Sequence, residues 1–370
     1  MSAFRRALRT FGRILRTRYP GFLLGLPVRA GEIPIFNYHD VEGPELRGDL
    51  EFLAANGYRT LTLEEFLARQ GVSRNGHEVL LTFDDARASV ASVALPLLQS
   101  FGAHAVLFVP TYWIGELDRR SPEAALFMSW NDVRRCQSSG VFSIECHAHR
   151  HALVHTSPHL VGFVSPSMRA RYDVYDWPMR DAGGEQQLGY PQLGTPVYAA
   201  APLLSTNRCY LESVHVARAC QAHVEAEGGA KFFDSRHAHR ALCSLHERGM
   251  ARDGGRFMDR ASLTRLVASE FEQSWDAFAR HLRSRPRCFA FPWMVGSMAA
   301  LRMAREIGAV AVFGCALDYR YERRRDLPVR VFGRLKSDWL RFLPGERRAR
   351  LTSVLGRKVA TFASLQNIAH

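Results

Sequence analysis

The hydrophobic positions in the first half of the chain form short apolar runs separated by amphipathic segments. Strands are predicted at residues 33–37, 79–83, 105–109 and 141–146, because each apolar run is bounded by breaker residues. Helices are predicted between them at residues 64–70, 89–101 and 131–138. This alternation of strand and helix predicts a parallel sheet with crossover helices.

The alternation returns near the C-terminus and is interrupted in between. Strands are predicted at 289–291, 309–313 and 329–332, with a helix at 297–307. Within the interruption, residues 211–227 and 263–282 are predicted to be helical, the second with one apolar stripe typical of core packing. Residues 163–208 are rich in Pro, Gly and Tyr and are predicted to form an ordered loop or lid. The pattern therefore predicts one α/β domain with a large insertion.

Two of the predicted strands end in side chains that can bind a metal ion. Asp84 and Asp85 follow the second strand, and His147 and His151 follow the fourth. Adjacent side chains of an extended strand point to opposite sides, so one carboxylate can bind a metal while the other addresses a water. Two histidines and one aspartate leave a coordination position open, which suits a hydrolytic metal site.

These motifs resemble those of the polysaccharide deacetylases, also called NodB-homology proteins or carbohydrate esterase family 4. Residues 82–86 are similar to the family's Thr-Phe-Asp-Asp-Gly motif, and residues 147–151 to its His-x-x-x-His motif. Further runs fall in the family's order at residues 33–39, 129–132 and 289–293. The resemblance covers residues 33–155 and 286–340.

The resemblance implies a distorted (β/α) barrel with a large insertion. It also implies a metal-dependent hydrolase that removes N-acetyl or related N-acyl groups from an amino sugar in a polysaccharide, a lipid-linked glycan or a glycoside. Asp84 is then the catalytic base, and the ion, zinc in preference to cobalt, nickel or iron, is bound by Asp85, His147 and His151. Substrate contacts are predicted at the barrel mouth and in the lid, from Tyr38, His39, Pro292, Trp293, Trp177, Tyr190 and Tyr198.

Several positions depart from the family's pattern. Ala86 stands where the family usually has Gly, and Met294 replaces another Gly. Ala290 stands where many members have an Arg that orients the catalytic Asp. No Leu-x-x-His follows near the C-terminus, so the proton donor to the leaving amine is unassigned. These departures favour an alternative, a degenerate homologue that binds glycan or acts as a scaffold without turnover.

Composition bears on location and partners. The 370 residues are 47% hydrophobic, enough for a large core. The seven cysteines show no paired spacing, which favours reduced thiols and a cytoplasmic location. The net charge of +13 suggests nucleic acid as a partner, but the arginines concentrate at the ends and no nucleic-acid module accompanies them. We therefore expect no nucleic-acid partner, and a nucleic-acid binder remains a third class, recognisable by salt-sensitive binding.

The ends of the chain are predicted to lie outside the barrel. We expect a basic N-terminal arm at residues 1–30, the barrel at 31–155 and 286–340, the insertion at 156–285 and a basic tail at 341–370. The arm has apolar residues at helical spacing among arginines, a pattern typical of helices that lie on an anionic leaflet. It also fits a surface helix packed on the barrel. Peripheral contact with the inner membrane face therefore stays open.

Overall fold

The computed structural model describes residues 21–24, 27–28, 31–115, 122–181, 186–315 and 327–349. The strands are β1 Ile35–Tyr38, β2 Arg59–Thr60, β3 Glu78–Phe83, β4 Ala105–Val109, β5 Phe142–Cys146, β6 Leu153–Phe163, β7 Pro178–Asp181, β8 Gln186–Gln187, β9 Pro196–Pro202, β10 Tyr210–Leu211, β11 Arg256–Phe257, β12 Cys288–Ala290, β13 Ala311–Cys315 and β14 Arg330–Lys336. The α-helices are α1 Gly43–Ala55, α2 Leu63–Ala68, α3 Leu95–Ser100, α4 Thr111–Gly115, α5 Trp130–Ser138, α6 Pro166–Arg171, α7 Val214–Ala226, α8 Ala238–Arg252, α9 Arg260–Leu282 and α10 Met298–Glu306. A π-helical turn, Val90–Ala94, leads into α3.

Parallel strands close into a barrel in the order β1-β14-β13-β12-β5-β4-β3. The ring closes because the later residues of β3 pair with β1, while its first two residues pair with β2 on the same edge. Helices such as α2, α3 and α5 connect successive strands, and the capping boxes at Thr62 and Ser129 begin two of them. The predicted (β/α) barrel is confirmed.

The barrel interior is apolar along the strands and polar at the end where the strands' carboxyl ends lie. Alternate residues of each strand face inward, and their apolar members form one buried cluster that includes Leu80, Phe108 and Phe313. On β3 the inward face continues from Leu80 through Thr82 to Asp84, which lies just past the strand's end. A polar layer therefore covers the core at the carboxyl end of the barrel, where enzymes of this class place their chemistry.

The insertion between β5 and β12 has a sheet of its own, with strand order β8-β7-β6-β9. Helices α7 and α8 pack on this sheet around a separate apolar cluster that contains Phe163 and Leu242. The segment 163–208 is therefore not the loop that the sequence predicted, since it supplies α6, β7, β8 and β9. The Pro and Gly residues in this segment fall mainly at the ends and turns of these short elements.

The described residues near the two ends belong to the folded body. Phe22 is buried and its ring lies edge-on to Phe36, with centroids 6.3 Å apart. Phe342 and Leu343 are also buried, so the predicted tail begins within the barrel's packing. Most of the predicted arm, residues 1–20, and residues 350–370 lie outside the described residues. Among the helices that are described, none is long and apolar enough to cross a membrane.

Candidate metal and catalytic centre

Three potential metal ligands meet at the carboxyl end of the barrel. Asp85 follows β3, while His147 and His151 follow β5, and their ligand atoms all lie within 4.8 Å of one another. Asp85 Oδ1 lies 3.5 Å from His147 Nε2 and 3.4 Å from His151 Nε2. The strands β3 and β5 are separated only by β4, so the barrel itself brings these side chains together.

The environment of the three side chains fits a cation. Asp85 Oδ1 is buried and has no hydrogen-bond partner among the described residues, a costly state that a bound ion relieves. The Nδ1 atom of His147 lies 2.9 Å from the carbonyl oxygen of Ala290, which can only accept. That hydrogen bond fixes the tautomer, so the lone pair of Nε2 points toward Asp85. Burial lowers the pKa of His151 to about 3, which keeps this imidazole in the neutral form that binds metals.

The loop that carries the histidines is held by a buried acid of the insertion. Glu270 on α9 accepts hydrogen bonds from the backbone N–H groups of His149 and Arg150, at 3.1 and 2.8 Å. Its other oxygen binds the Arg150 guanidinium at 2.7 Å. The loop needs this support because Ala148 and His151 adopt positive φ values of 67° and 49°.

The turn after β3 is strained in the same way. Asp85 has φ 72° and Ala86 has φ 48°, in the left-handed region that favours glycine. Ala86 is also fully buried. The strain of roughly 1 kcal/mol expected for Ala86 therefore falls next to Asp85, a candidate metal ligand, where the surrounding core maintains the geometry.

Asp84 is held by a bidentate arginine from the far end of the chain. Arg334 Nη1 donates to Asp84 Oδ1 at 2.7 Å, and Nη2 donates to Oδ2 at 2.9 Å. Asn37 on β1 donates to Oδ2 at 3.1 Å. Burial raises the pKa of Asp84, but the charges of Arg334 and His147 outweigh it and hold the pKa below its usual value. Asp84 is therefore a carboxylate with a fixed orientation, 3.6 Å from His147 Nε2.

Two aromatic rings enclose the imidazole of His151. The ring of Tyr175, from the insertion, lies 4.1 Å from it between centroids, and the ring of Trp293 lies 4.2 Å from it. Trp293 reaches this position with φ 50° in the turn after β12. Tyr175 in turn carries the guanidinium of Arg87 over its face at 4.9 Å, and Arg87 pairs with Asp173 at 2.8 Å. The insertion thus contributes directly to the centre.

Residues 71–188 match the family model described as polysaccharide deacetylase. The matched segment contains Asp84, Asp85, His147 and His151, and it confirms the predicted resemblance to the polysaccharide deacetylases. The match also confirms the predicted class of enzyme, a polysaccharide deacetylase. No curated protein matched the sequence.

Solved structures of deacetylases are among those similar to this chain. A de-N-acetylase from Aggregatibacter actinomycetemcomitans is 15% identical, with 82% of this chain and 94% of that chain covered and a TM-score of 0.50. The BpsB deacetylase domain from Bordetella bronchiseptica is 16% identical, with 82% and 96% covered and a TM-score of 0.49. At 15% identity, the similarity to the Aggregatibacter de-N-acetylase shows a shared fold alone.

The arginine missing at Ala290 is supplied from another strand. Many members of the polysaccharide deacetylase family orient the catalytic Asp with an Arg before the Pro motif, and here Arg334 on β14 binds Asp84 instead. The sequence holds a weak signal for it, since Arg334 stands between Gly333 and Leu335 in the interior of a barrel strand whose other charged residues, Arg330 and Lys336, are at its ends. Asn37 carries a similar signal, a buried amide in the apolar strand β1.

We expect loss of Arg334 to shift the pH profile as well as lower the rate. The base acts when deprotonated, and Arg334 lowers the pKa of Asp84, so Arg334→Met raises that pKa. The acidic limb of the kcat/KM profile should then move to higher pH, with a rate loss of about 10-fold or more. Arg334→Lys keeps a charge and should shift the limb less. An unchanged limb in a folded Arg334→Met protein would contradict this role.

The remaining predicted contact residues lie in different environments. Tyr38 points away from the centre, because strand alternation places Asn37 on the interior, and its hydroxyl donates to Asp49 at 3.0 Å. His39 is exposed beside the centre, with Nε2 3.4 Å from Asn37 Nδ2. Pro292 is buried and begins the turn that presents the half-buried Trp293.

The predicted lid aromatics are mostly covered. Trp177 is 3% exposed and Tyr198 is 1% exposed, so neither ring has a free face for a sugar. Tyr198 instead donates or accepts a hydrogen bond with His246 Nε2 at 2.9 Å. Tyr190 is half-buried and lines a cleft of the insertion. The prediction that Trp177 and Tyr198 stack on a sugar ring is therefore wrong, because both rings are buried.

Proposed function

We propose that the protein is a metal-dependent hydrolase that removes N-acetyl groups from an amino sugar within a glycan. The observation that carries this proposal is the pairing of two differently held carboxylates at one strand end. Asp85 belongs to the ligand cluster with His147 and His151, whereas Asp84 is bound by Arg334 and Asn37. A divalent ion, zinc by our proposal, would supply an activated water and polarise the acyl oxygen.

The residues of the chain have separate roles in this reaction. Asp84 takes the proton of the attacking water, since its low pKa keeps it ionised and Arg334 fixes its direction. Trp293 and Tyr175 hold the His151 ring and exclude water from it. The developing oxyanion would, by our proposal, also accept a hydrogen bond from the backbone N–H of Trp293, since the N–H groups of Met294 and Val295 already donate within the turn.

The proton donor to the leaving amine is, by our proposal, His39. It is the exposed imidazole at the end of β1, and Asn37 joins it to Asp84. We expect His39→Gln to lower turnover of an N-acetyl amide by about 100-fold, because an amine leaves only when protonated. Turnover of an aryl acetate should fall much less, because a phenolate leaves without a proton. Equal losses for both substrates would exclude His39 as the acid.

Activity with defined metal content tests the function. The metal-free protein and the protein loaded with zinc, cobalt, nickel or iron are assayed on N-acetylated sugars as polymer, lipid-linked intermediate and soluble glycoside, with acetate release as the readout. We expect release only with metal. Stoichiometric metal without release from any form would favour the degenerate homologue, although Arg334 removes one reason for that alternative.

The location is a separate proposal, a cytoplasmic enzyme that the basic arm brings to an anionic membrane face. The deletion that tests it must end at residue 20, because Phe22 is part of the core and its carbonyl accepts from Arg348. Removing residues 1–20 should reduce co-sedimentation with anionic vesicles, and added salt should weaken binding of the full chain. Equal binding by both chains would leave the arm as ordinary surface.

A further inference from the structure

A polar cleft lies in the insertion, outside the metal and catalytic centre. It has a volume of about 550 Å³, within the range of ligand sites. Its lining is rich in amide, guanidinium, carboxyl and phenol groups, from Tyr112, Arg180, Tyr190, Gln192, Glu212 and Gln221. Such groups form hydrogen bonds with vicinal hydroxyls, and the two phenol rings offer apolar faces.

A buried carboxylate is among the residues that line this cleft. The side chain of Glu212 is 4% exposed, yet Oε2 has no hydrogen-bond partner within the part of the chain that the structure describes. The Nδ1 atom of His155, which is also buried, lies 3.9 Å from Glu212 Oε2, beyond hydrogen-bond distance. Burial raises the pKa of Glu212 to about 7. A buried, unsatisfied carboxyl is costly, and a ligand hydroxyl would satisfy it.

A half-buried cation stands beside this acid. Strand β6 pairs with β7 in parallel, with Leu153 opposite Pro178 and Val154 opposite Met179. The next residues of the two strands, His155 and Arg180, are therefore neighbours. Burial lowers the pKa of Arg180, although the charge of Glu212 opposes that effect. Its guanidinium donates to Gln187 Oε1 at 3.3 Å. The cleft thus combines an acid and a cation without the short ion pair that would neutralise both, as expected where a neutral polar ligand binds.

The cleft shares a wall with the loop that carries the metal ligands. The backbone N–H of Tyr112, on α4, donates to the carbonyl of His149 at 2.9 Å. The Tyr112 ring lies 5.8 Å from the His149 ring, edge to face. His149 is two residues from both His147 and His151, so Tyr112 connects the cleft to the loop that carries these two histidines.

We propose that this cleft binds a further sugar residue of the N-acetylated glycan, so that the enzyme prefers chains to single sugars. The inference rests on the proposed function for its ligand. Glu212 and Arg180 bind hydroxyls, the glutamine side chains bind hydroxyl or acetamido groups, and Tyr112 and Tyr190 pack on the ring.

Calorimetry on the Asp84→Asn protein tests binding apart from turnover. The probes are N-acetylglucosamine and its pentasaccharides with β1,4 and β1,6 linkage. At least one pentasaccharide should bind about 10-fold more tightly than the monosaccharide, a difference of about 1.4 kcal/mol. Adding Gln221→Ala or the isosteric Glu212→Gln should remove most of that difference. Arg169→Ala, an exposed arginine on α6, is the matched surface control and should preserve it.

The outcomes separate this inference from the proposed function. If neither pentasaccharide binds more tightly than the monosaccharide, or if the cleft variants keep the full difference, the subsite is excluded, whatever the turnover. If the difference is present and depends on Gln221 and Glu212 while the metal-loaded enzyme releases no acetate, the subsite stands and the proposed reaction fails.

Discussion

Replacing Asp84 by asparagine is expected to lower turnover by at least about 100-fold while the bound metal is retained. Asparagine keeps the shape of the side chain and still accepts from Arg334, but it cannot take a proton from water. The metal should stay because Asp85, and not Asp84, belongs to the cluster with the two histidines. Acetate release and elemental analysis on the same preparation measure both effects.

The control for this change is another buried carboxylate. Asp49 lies on α1, where it binds Tyr38 and Arg341 away from the centre. Asp49→Asn should cost stability but leave the catalytic rate of the folded protein near that of the parent. Near-normal turnover of Asp84→Asn would remove Asp84 as the base, and loss of its metal would make it a ligand.

The double substitution His147→Ala, His151→Ala should abolish metal binding and activity together. Two of three protein ligands are lost, and the remaining carboxylate of Asp85 is a weak site alone. Each substitution also removes a buried ring, so circular dichroism must confirm a folded protein before the metal is measured. Stoichiometric metal in a folded double variant would overturn the ligand assignment.

His149 provides the matched control on the same loop. Its Nδ1 lies 2.8 Å from the hydroxyl of Thr111, and it is not part of the ligand cluster. His149→Asn should therefore retain metal, even if the loop is less stable. If His149→Asn loses metal as completely as the double variant, the effect reflects the loop as a whole.

The barrel was predictable because its strands are buried on both sides. Every residue of β3 and β4 is buried, so β4 is a continuous apolar run and β3 is apolar except for Glu78 at its start and Thr82. The sheet of the insertion was not predicted, because its strands are only partly buried and lack a continuous apolar run. β6 contains polar and exposed positions, together with Pro158 and Gly162, so its pattern resembles a loop.

The candidate site was predictable only where motifs mark it. Asp84, Asp85, His147 and His151 stand at strand ends, which the apolar pattern locates. Arg334 stands inside a strand, and the predicted strand ended at residue 332, before it. Its role depends on β14 lying beside β1, which barrel closure creates and local sequence does not indicate.

The aromatic residues of the insertion show a second limit. Trp177 and Tyr198 lie in a Pro- and Gly-rich segment, where large rings suggest a surface for sugars. Both rings are buried in the structure. The ring of Tyr198 packs against those of His155 and Tyr210. Composition shows that a ring is present, but only tertiary packing decides whether a face is free.

The pairing of Asp84 with Arg334 also sets an order of events during synthesis. The two residues are 250 positions apart, and the strand that carries Arg334 is the last to join the ring. A ribosome-bound chain that has exposed all three candidate metal ligands still lacks Arg334, and its barrel cannot close until β14 lies between β13 and β1. Hydrolytic competence should therefore arise only after the final strand emerges.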